Sequence, residues 1–518
     1  MKITQDDIKY VIVQAGGKGT RMGHYAENRP KCLVPVNDIP MIMNTLKVYK
    51  DKEGIIIVDH FADVLIQYLK LFAVGYNYGI IRTTEEGTAG GLKEAVEYIP
   101  EGEPFILTWA DLFFEKEPTF EMCDVTYKNH LMVGLSNTFK CRWRLEEYNQ
   151  FINKPSTKCG IAGFFAFRDK SKFVNLKTDK SLVRGFLRKE YLNENIDSFY
   201  LENCFEVGEI EKYEELLSKK VNHRFFNKVE IKRKRVYKSC IDSKYENVHQ
   251  NEKDWYKFVN KKFDRIPKIH STDPLVMEKI NGKHAWEIEE NKSKIIENCC
   301  DTLDSLHKID IKKGDYANEC MNIYYTKARK RVDEVAPLIP YINEEVIKIN
   351  KVYCDNPLSR YSSFRKAIWD IVKVDEYNVI HGDPTFSNTL VDKDNQIWLI
   401  DPRGSFGDTK IYGDRRYDWA KLYYSAVGNY DSMNSKKFVV HTRDGKVPEV
   451  QLYMDSNGYE EYADMILERS GMDSREMNLI HASIWLALTG YVKEDIDAAM
   501  FSFYMGTYLW SNYQYGLK

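Results

Sequence analysis

The sequence is short of several features that mark whole classes of protein. It contains no apolar window of membrane-spanning length, and its start, MKITQDDIKYVIVQAGG, lacks the apolar stretch and small-residue cleavage site of a secretory signal. Its 10 cysteines form no CxxC pair, which argues against a paired-cysteine zinc site and against a disulfide framework. We therefore expect a cytoplasmic protein with reduced thiols and no membrane insertion.

An excess of charge of either sign is also absent. Lys and Arg total 75 against 77 for Asp and Glu, a formal net charge of −2, which argues against a nucleic-acid partner. The basic run at 232–235 is interpreted as a solvated strand or linker. Small molecules are the expected partners, and the oligomeric state is left open, a homo-oligomer included.

The length and the order of the patterns predict two domains, because 518 residues exceed what one hydrophobic core usually organises. Up to about residue 225, short apolar runs alternate with helical patterns, which predicts an α/β domain with a mostly parallel, mixed sheet. Beyond it, strand-like patterns precede a long helical region that one hairpin-like block interrupts. We predict domains at 1–225 and 226–518, the second with a small lobe at 226–282 and a helical lobe at 283–518.

A glycine-rich turn follows the apolar run YVIV near the N-terminus. Its glycines allow a tight turn whose N–H groups can meet phosphate oxygens, and its basic residues add positive charge. The predicted nucleotide-binding residues of this turn are Ala15, Gly16, Gly17, Gly19 and Thr20, and Arg21 is a predicted catalytic residue. Taken alone, such a turn is also typical of an ordinary connection between a strand and a helix.

The motif GGKGTRM at 16–22, followed by Pro30 and Lys31, resembles the signature of the sugar-nucleotidyltransferases, a superfamily that includes phosphocholine cytidylyltransferases. The resemblance covers the first domain and implies a Rossmann-like fold, Mg²⁺, and attack of a phosphomonoester oxygen on the α-phosphorus of a nucleoside triphosphate. The other residues that it implies are Lys31 (catalytic), Glu86, Gly87 and Thr88 (nucleotide), Lys154 and Gly163 (sugar), and Asp111 and Glu206 (metal). Glu206 replaces the family's usual Asp, and Asn153 replaces an acidic residue, so the sugar's identity stays open.

The second domain contains HGDPTFSN at 381–388 and, after an apolar strand, DPRG at 401–404. An Asp, an Asn five residues later and a second Asp can position an acceptor hydroxyl and hold Mg²⁺ on a nucleotide. The block resembles the catalytic loop of the aminoglycoside phosphotransferase and choline kinase superfamily, which implies a bilobal protein-kinase-like fold that binds ATP. The implied residues are Asp383 (catalytic base), Asn388 and Asp401 (metal), Lys238, Glu252 and Glu278 (nucleotide), and Arg403 and Asp418 (acceptor).

A kinase and a nucleotidyltransferase on one chain imply consecutive steps, because the phosphomonoester made by the first is the substrate class of the second. The sequence favours a bifunctional enzyme that phosphorylates a metabolite with ATP and then transfers a nucleotidyl group from a second nucleoside triphosphate. The favoured acceptor is a sugar phosphorylated at its anomeric hydroxyl, as in enzyme pairs resembling N-acetylmuramate kinase with its uridylyltransferase. Synthesis of a surface glycan such as capsule or lipopolysaccharide is the expected pathway.

Two alternatives remain open from the sequence. Choline or another amino alcohol could be the acceptor, with CDP-choline or a similar compound as the product. The aromatic-rich C-terminal region at 483–515 could then form a cation-binding box, although the same aromatics also suit the core of a helical domain. In the second alternative only one domain is active and the other is a binding or regulatory module.

Overall fold

In the computed structural model the described residues are 3–85, 87–122, 131–146, 150–176, 181–191, 196–218, 227–360 and 362–516. The chain forms two compact units, one of residues 1–220 with 494–496 and one of residues 221–493 with 497–518. The predicted domain boundary at 225–226 lies outside the described residues, as does Glu86, one of the predicted nucleotide-binding residues.

The first unit is built from short strands and helices that alternate along the chain. Its strands of three or more residues are β1 (Tyr10–Gln14), β2 (Glu53–Val58), β3 (Tyr78–Arg82), β4 (Phe105–Trp109), β5 (Leu112–Phe114), β6 (Leu131–Ser136), β7 (Arg144–Glu146), β8 (Gln150–Ile152), β9 (Gly160–Phe167), β10 (Ile196–Tyr200) and β11 (Cys204–Glu206). Its α-helices are α1 (Met41–Val48), α2 (Ala62–Phe72), α3 (Leu92–Glu97), α4 (Arg188–Glu190) and α5 (Ile210–Ser218).

The main sheet of this unit has the order β8-β7-β9-β4-β1-β2-β3. Strands β4, β1, β2 and β3 are parallel, whereas β9 runs antiparallel to β4 and to β6, and β6 pairs in parallel with β10. The central strand β1 reads YVIVQ and buries its three middle residues, as expected of a strand covered on both faces. The predicted α/β fold with a mixed sheet is confirmed for this unit.

The parallel ladders bring the carboxyl ends of three strands together. Gln14 pairs with Ile57 of β2 and with Trp109 of β4. A short antiparallel ladder between β5 and β11 then places Glu206 opposite Leu112. The carboxyl ends of parallel strands are the usual ligand-binding edge of an open α/β sheet, and both the glycine-rich turn and Asp111 follow such ends here.

The second unit contains more strands than its sequence pattern predicted. Those of three or more residues are β12 (Asn227–Lys232), β13 (Arg235–Cys240), β14 (Ile269–Thr272), β15 (Leu275–Glu278), β16 (Gly282–His284), β17 (Ile311–Lys313), β18 (Val346–Ile349), β19 (Val352–Asp355), β20 (Glu376–Val379), β21 (Thr389–Asp392), β22 (Ile397–Leu399), β23 (Phe438–Arg443) and β24 (Glu449–Met454). The α-helices are α6 (Glu246–Val259), α7 (Lys292–His307), α8 (Ala317–Met321), α9 (Lys327–Asp333), α10 (Phe364–Ile371), α11 (Arg415–Ala426), α12 (Tyr430–Asn434), α13 (Ala463–Ser470), α14 (Ser474–Thr489) and α15 (Ile496–Tyr515).

A four-stranded antiparallel sheet opens the second unit, with the order β12-β13-β15-β14. Helix α6 lies between β13 and β14 along the chain and buries Trp255, Tyr256 and Val259 on one face. The basic run at 232–235 forms the tip of the β12–β13 hairpin, where Lys232 pairs with Arg235, and all four side chains are exposed. This run is therefore solvated.

The prediction of a helical lobe interrupted by one hairpin-like block is wrong. A second four-stranded sheet, with the order β19-β18-β24-β23, lies within the predicted helical region. Its first hairpin turns through Asn350 and Lys351, which both have positive φ, at 47° and 71°. A tight turn of this kind joins strands whose twist it matches, and Asn is among the residues that adopt it most readily.

The aromatic-rich C-terminal region forms core. Trp485 of α14 and both Phe501 and Trp510 of α15 are buried, and the rings of Trp485 and Phe501 lie 5.7 Å apart. These side chains therefore stabilise the helical packing and do not form an open aromatic box. Within the part of the chain that the structure describes, no helix is long and apolar enough to cross a bilayer.

Candidate active sites

The glycine-rich turn of the first unit leaves β1 and leads into a 3-10 helix at Thr20–Ala26. Gly19 has φ of 64°, and a Cβ on it would lie 3.0 Å from the Cβ of Ala26 and 3.1 Å from that of Lys31. A Cβ on Gly16 would lie 2.9 Å from that of Asp59, whereas Gly17 is exposed with open space beside it. Glycine is therefore required at positions 16 and 19, where neighbouring side chains approach the backbone closely. At position 17 the exposed backbone is accessible to a ligand.

A second glycine-rich segment lies against the end of β1. The side-chain amide of Gln14 donates hydrogen bonds to the carbonyl oxygens of Gly87 and Gly90, each at 3.2 Å. The Oε1 atom of Gln14 is buried and has no hydrogen-bond partner among the described residues. The hydroxyl of Thr88 accepts a hydrogen bond from the Leu182 N–H at 2.9 Å, so its contact is with the protein itself. The sequence interpretation missed Gln14.

Two carboxylates meet beside the turn. Asp111 follows β4 and Glu206 ends β11, and the N–H of Val207 donates to the carbonyl of Asp111 at 3.0 Å. Lys31 Nζ lies 2.5 Å from Asp111 Oδ2, while Asp111 Oδ1 is buried without a hydrogen-bond partner among the described residues. The structure thus brings together two predicted metal ligands and a predicted catalytic lysine.

Further cations surround Glu206. Lys212 Nζ lies 2.6 Å from Glu206 Oε2, and Arg21 lies 3.8 Å from Glu206 and 2.6 Å from Glu209. The sequence interpretation missed Lys212, although its position six residues after Glu206, at the start of α5, places it on the same strand-to-helix connection. This cluster of opposite charges can bind both a metal ion and phosphate groups.

Gly163 lies under an aromatic ring at the edge of this region. It has φ of 91°, and a Cβ on it would lie within 3 Å of three atoms of the Trp109 ring. Trp109 ends β4, two residues before Asp111, and its Nε1 atom is buried without a hydrogen-bond partner among the residues described. Lys154, by contrast, is exposed just after β8. Its predicted contact with the sugar stays a prediction.

The HGDPTFSN segment of the second unit precedes the β21–β22 hairpin. Thr389 pairs with Leu399 in that hairpin, and the Ile400 N–H donates to the Asn388 carbonyl at 3.0 Å. Asn388 Nδ2 donates to the Asp383 carbonyl at 2.8 Å. The hairpin therefore holds Asn388 next to the chain that leads into Asp401, and Asp401 itself has φ of 58°.

A buried lysine lies at the centre of the small sheet of this unit. Lys238 of β13 contacts Glu252 of α6 at 2.8 Å and Asp401 at 2.9 Å. The Lys238 and Glu252 side chains are 2% and 1% exposed, so the pair is desolvated and depends on its mutual contact. Glu278 ends β15 with its side chain exposed, and its backbone N–H donates to the Lys268 carbonyl at 2.9 Å. Its role at the nucleotide stays a prediction.

Asp418 holds the HGDPTFSN segment in place, which is one of the two roles predicted for it, the other being contact with the acceptor. Its side chain is fully buried and accepts hydrogen bonds from the N–H groups of His381 at 2.7 Å and Gly382 at 2.8 Å. His307 Nε2 lies 3.2 Å from the same carboxylate. Because every one of these contacts is internal, the structure does not support direct contact between Asp418 and a substrate.

Asp383 faces two cations. Arg403 Nε lies 3.3 Å from Asp383 Oδ2, and Lys421 Nζ lies 3.1 Å from Oδ1. The sequence interpretation placed Arg403 here but missed Lys421. Lys421 is on α11, three residues after Asp418, and this spacing puts the two residues on one helix face.

Groups of three or more His, Cys, Asp or Glu side chains suited to a metal are absent from the described residues. Each of the two metal sites predicted from the sequence consists of two residues with oxygen ligands, Asp111 with Glu206 and Asn388 with Asp401. Mg²⁺ is commonly held by one or two such side chains together with water and substrate phosphates. In the first unit, Asp111 Oδ1 has no hydrogen-bond partner in the described part of the chain, which fits a bound ion of this kind.

Comparison with known proteins bears on the first unit. Residues 11–124 match the family model of the MobA-like NTP transferase domain. This NTP transferase match includes β1, the glycine-rich turn, Lys31 and Asp111, and it ends before Glu206. The match therefore lies within the first unit and does not extend into the second unit.

A curated relative is the D-glycero-alpha-D-manno-heptose 1-phosphate guanylyltransferase of Campylobacter jejuni subsp. jejuni serotype O:2. It is 31% identical over 109 residues, which are 20% of this chain. The aligned part spans 48% of that relative, so the chain matches about half of the relative's length.

Solved structures with some likeness include HddC from Yersinia pseudotuberculosis, with a TM-score of 0.33 and 22% identity over 41% of this chain and 99% of that one. The CTP:phosphocholine cytidylyltransferase of Streptococcus pneumoniae has a TM-score of 0.32 and 22% identity over 40% of this chain and 98% of that one. At these values the likeness identifies neither a shared substrate nor a shared mechanism.

Proposed function

We propose that the first unit transfers a nucleotidyl group from a nucleoside triphosphate to a phosphomonoester, with pyrophosphate as the leaving group. The observation that carries this proposal is the pair Asp111 and Glu206 beside the glycine-rich turn, with the unpartnered Asp111 Oδ1 available to a metal. Mg²⁺ held by these carboxylates would neutralise charge on the triphosphate. Lys31 and Arg21 would hold the phosphates and align the attacking oxygen with the α-phosphorus.

A sugar 1-phosphate is the phosphomonoester that we propose for this unit. The name of the Campylobacter relative, a heptose 1-phosphate guanylyltransferase, supports this substrate class. Phosphocholine is the competing substrate, because the sequence also allows choline or another amino alcohol as the acceptor.

For the second unit we propose ATP-dependent phosphorylation of a small-molecule hydroxyl. The observation that carries this part is the contact of one buried lysine, Lys238, with both Glu252 and Asp401. In this proposal Lys238 binds the ATP phosphates, and Asn388 and Asp401 hold Mg²⁺. Asp383 accepts the proton of the acceptor hydroxyl. The antiparallel sheet with α6, followed by the β21–β22 hairpin, supports a kinase-like arrangement of the unit.

Together the proposals describe a two-step activation of a metabolite in which the kinase product becomes the transferase substrate. Synthesis of a nucleotide sugar for a surface glycan is the proposed role. The buried aromatics of α14 and α15 count against a choline box in that region, although they do not bear on other amino alcohols.

The test is mass spectrometry of reactions that contain the full chain, Mg²⁺, ATP, a second nucleoside triphosphate, and a panel of free sugars and amino alcohols. Asp111→Asn should stop pyrophosphate release and leave phosphorylation intact, whereas Asp383→Asn should stop phosphorylation of the free metabolite. Exposed carboxylates provide matched controls: Glu101→Gln for the first unit and Asp394→Asn for the second. If either active-site variant behaved as its control does, the corresponding half of the proposal would be wrong.

A further inference from the structure

Basic side chains from three parts of the second unit lie around Asp383 and the Tyr491 ring. Helix α9 contributes Lys327 and Arg331, which are one helical turn apart and so share a face. The segment after Asp401 contributes Arg403, and α11 contributes Lys421. The proposed kinase reaction requires the carboxylate of Asp383 as a base, but it does not require four basic side chains around it.

Contacts tie these cations into one cluster. Arg403 and Lys421 contact Asp383 directly, at 3.3 and 3.1 Å. The guanidinium carbons of Arg331 and Arg403 both lie over the Tyr491 ring, 5.3 and 6.0 Å from its centroid. Arg331 also donates to the Ala487 carbonyl at 2.8 Å, which fixes its guanidinium group near the end of α14.

Among the described residues, the carboxylates that act on the cluster do not match its positive charge. Asp383 faces Arg403 and Lys421, and the charge of Glu334 acts on Arg331, against two arginines and two lysines. Burial, followed by the charges of Arg331, Arg403 and Lys421, lowers the pKa of Lys327 to about 7. Among the described residues, no acceptor hydrogen-bonds the Lys327 ammonium group. Partly buried like charges without a counter-ion are unfavourable, and a bound anion removes that cost.

The nucleotide is not the anion that this cluster best fits. In the proposed site, the ATP phosphates would be bound by Lys238 and by the Mg²⁺ that Asn388 and Asp401 would hold. The principal charges acting on Lys327 are those of Arg331, Arg403, Lys421 and Asp383. Lys327 and Arg331 therefore belong to the surroundings of the catalytic base, where an acceptor has to lie.

We propose that the acceptor is an anionic alcohol, a hydroxyl compound that also carries a carboxylate or phosphate group, and that Lys327 and Arg331 bind this second group. The proposal rests on the proposed kinase function and names its substrate class. The acceptor hydroxyl gives its proton to Asp383, its oxygen forms a bond to the γ-phosphorus, and the bond from that phosphorus to the bridging oxygen breaks to release ADP. A quaternary ammonium compound such as choline is excluded, because its charge has the same sign as the cluster.

The test compares acceptors that share one ring and differ in charge: glucose, glucosamine, glucuronate and glucose 6-phosphate, with choline as a further cation. Phosphorylation is followed by mass spectrometry at saturating Mg²⁺ and ATP. We expect kcat/KM for glucuronate or glucose 6-phosphate to exceed that for glucose by about tenfold or more. This factor corresponds to the contribution of one charge-assisted hydrogen bond to binding. These two arms distinguish a carboxylate from a phosphate. Better turnover of glucose, glucosamine or choline would overturn the anion assignment while the kinase function stood.

Variants on α9 give the second readout. Lys327→Met should raise KM for the anionic acceptor about tenfold or more, whereas Lys330→Met, an exposed lysine on the same helix, should leave it unchanged. An unchanged KM in Lys327→Met would overturn the proposal. If wild type phosphorylated no acceptor and Asp383→Asn hydrolysed ATP at the wild-type rate, the kinase function itself would fail, and this inference with it.

A binding measurement that needs no turnover completes the test. Reductive methylation of Lys327, read by mass spectrometry, should slow in the presence of inorganic phosphate because the bound anion occupies the amine. Lys330 in the same sample serves as the internal control. Equal labelling of Lys327 with and without phosphate would contradict the proposed anion site.

Discussion

Replacing Gly163 by alanine tests how tightly the edge of the transferase site is packed. The new Cβ would lie within 3 Å of three atoms of the Trp109 ring, and the residue would keep φ of 91°. Overpacking of a close contact costs about 1–3 kcal/mol, and a left-handed backbone at a residue with a Cβ costs about 1–2 kcal/mol. The sum predicts a loss of about 2–5 kcal/mol in the free energy of unfolding.

Urea unfolding of the full chain, followed by signals from the first unit, measures this loss. Gly79→Ala is the matched control, since its Cβ meets nothing within 4 Å and its backbone is an ordinary strand. We expect the control to match wild type, and we expect nucleotidyl transfer to fall in Gly163→Ala because a displaced Trp109 disturbs Asp111. If the free energy of unfolding of Gly163→Ala were within about 1 kcal/mol of the wild-type value, the packing argument would be refuted.

Three further predictions follow from the charged groups. Asp111→Asn should lower the rate of nucleotidyl transfer by about a thousandfold, because metal neutralisation is worth several kcal/mol, while circular dichroism stays native. Lys238→Met should lower the rate of phosphorylation about a hundredfold and leave nucleotidyl transfer intact. Loss of both activities would contradict the claim that the two reactions take place at independent sites. Lys327 has a folded pKa of about 7, below its usual value of 10.5, so its proton destabilises the fold. Lys327→Met should therefore be more stable at pH 7 by about 1–3 kcal/mol, and this difference should shrink as the pH rises towards 10.5; a constant difference would show that Lys327 is charged as usual.

Local motifs account for what the sequence predicted well. The turn at 16–22 needs glycine for reasons internal to a short segment, and Asp111 follows the apolar run that forms β4. In the second unit, the HGDPTFSN segment and the hairpin after it carry their own strand and turn signals. Each of these features depends on neighbouring residues, which is the information that a single sequence contains.

Features that depend on long-range pairing were missed. Gln14 bridges two carbonyls more than seventy residues away, and Lys421 reaches Asp383 only because α11 packs beside the HGDPTFSN segment. Two roles were predicted for Asp418, fixing the active loop and binding the acceptor, and only its burial against the His381 and Gly382 N–H groups in the packed unit distinguishes them. A polar residue looks the same in sequence whether it faces a ligand or a backbone amide.

The second sheet of the helical region shows a different failure. Its strands β18 and β24 are far apart along the chain and pair only in the folded unit. The first hairpin was nevertheless predictable, since Val346–Ile349 and Val352–Asp355 flank the two-residue turn at Asn350 and Lys351. A search for hairpins within the helical region would have found it.

The central claim, that two consecutive reactions build one activated product, is tested most directly by the fate of a labelled phosphate. The full chain is incubated with Mg²⁺, γ-³²P-labelled ATP, a second unlabelled nucleoside triphosphate and the acceptor panel. Our account predicts that the label enters a nucleoside diphosphate product and occupies the phosphate next to the acceptor, since that phosphate came from ATP. Label that appeared only in inorganic phosphate, or a nucleotide product that carried no label, would contradict the account.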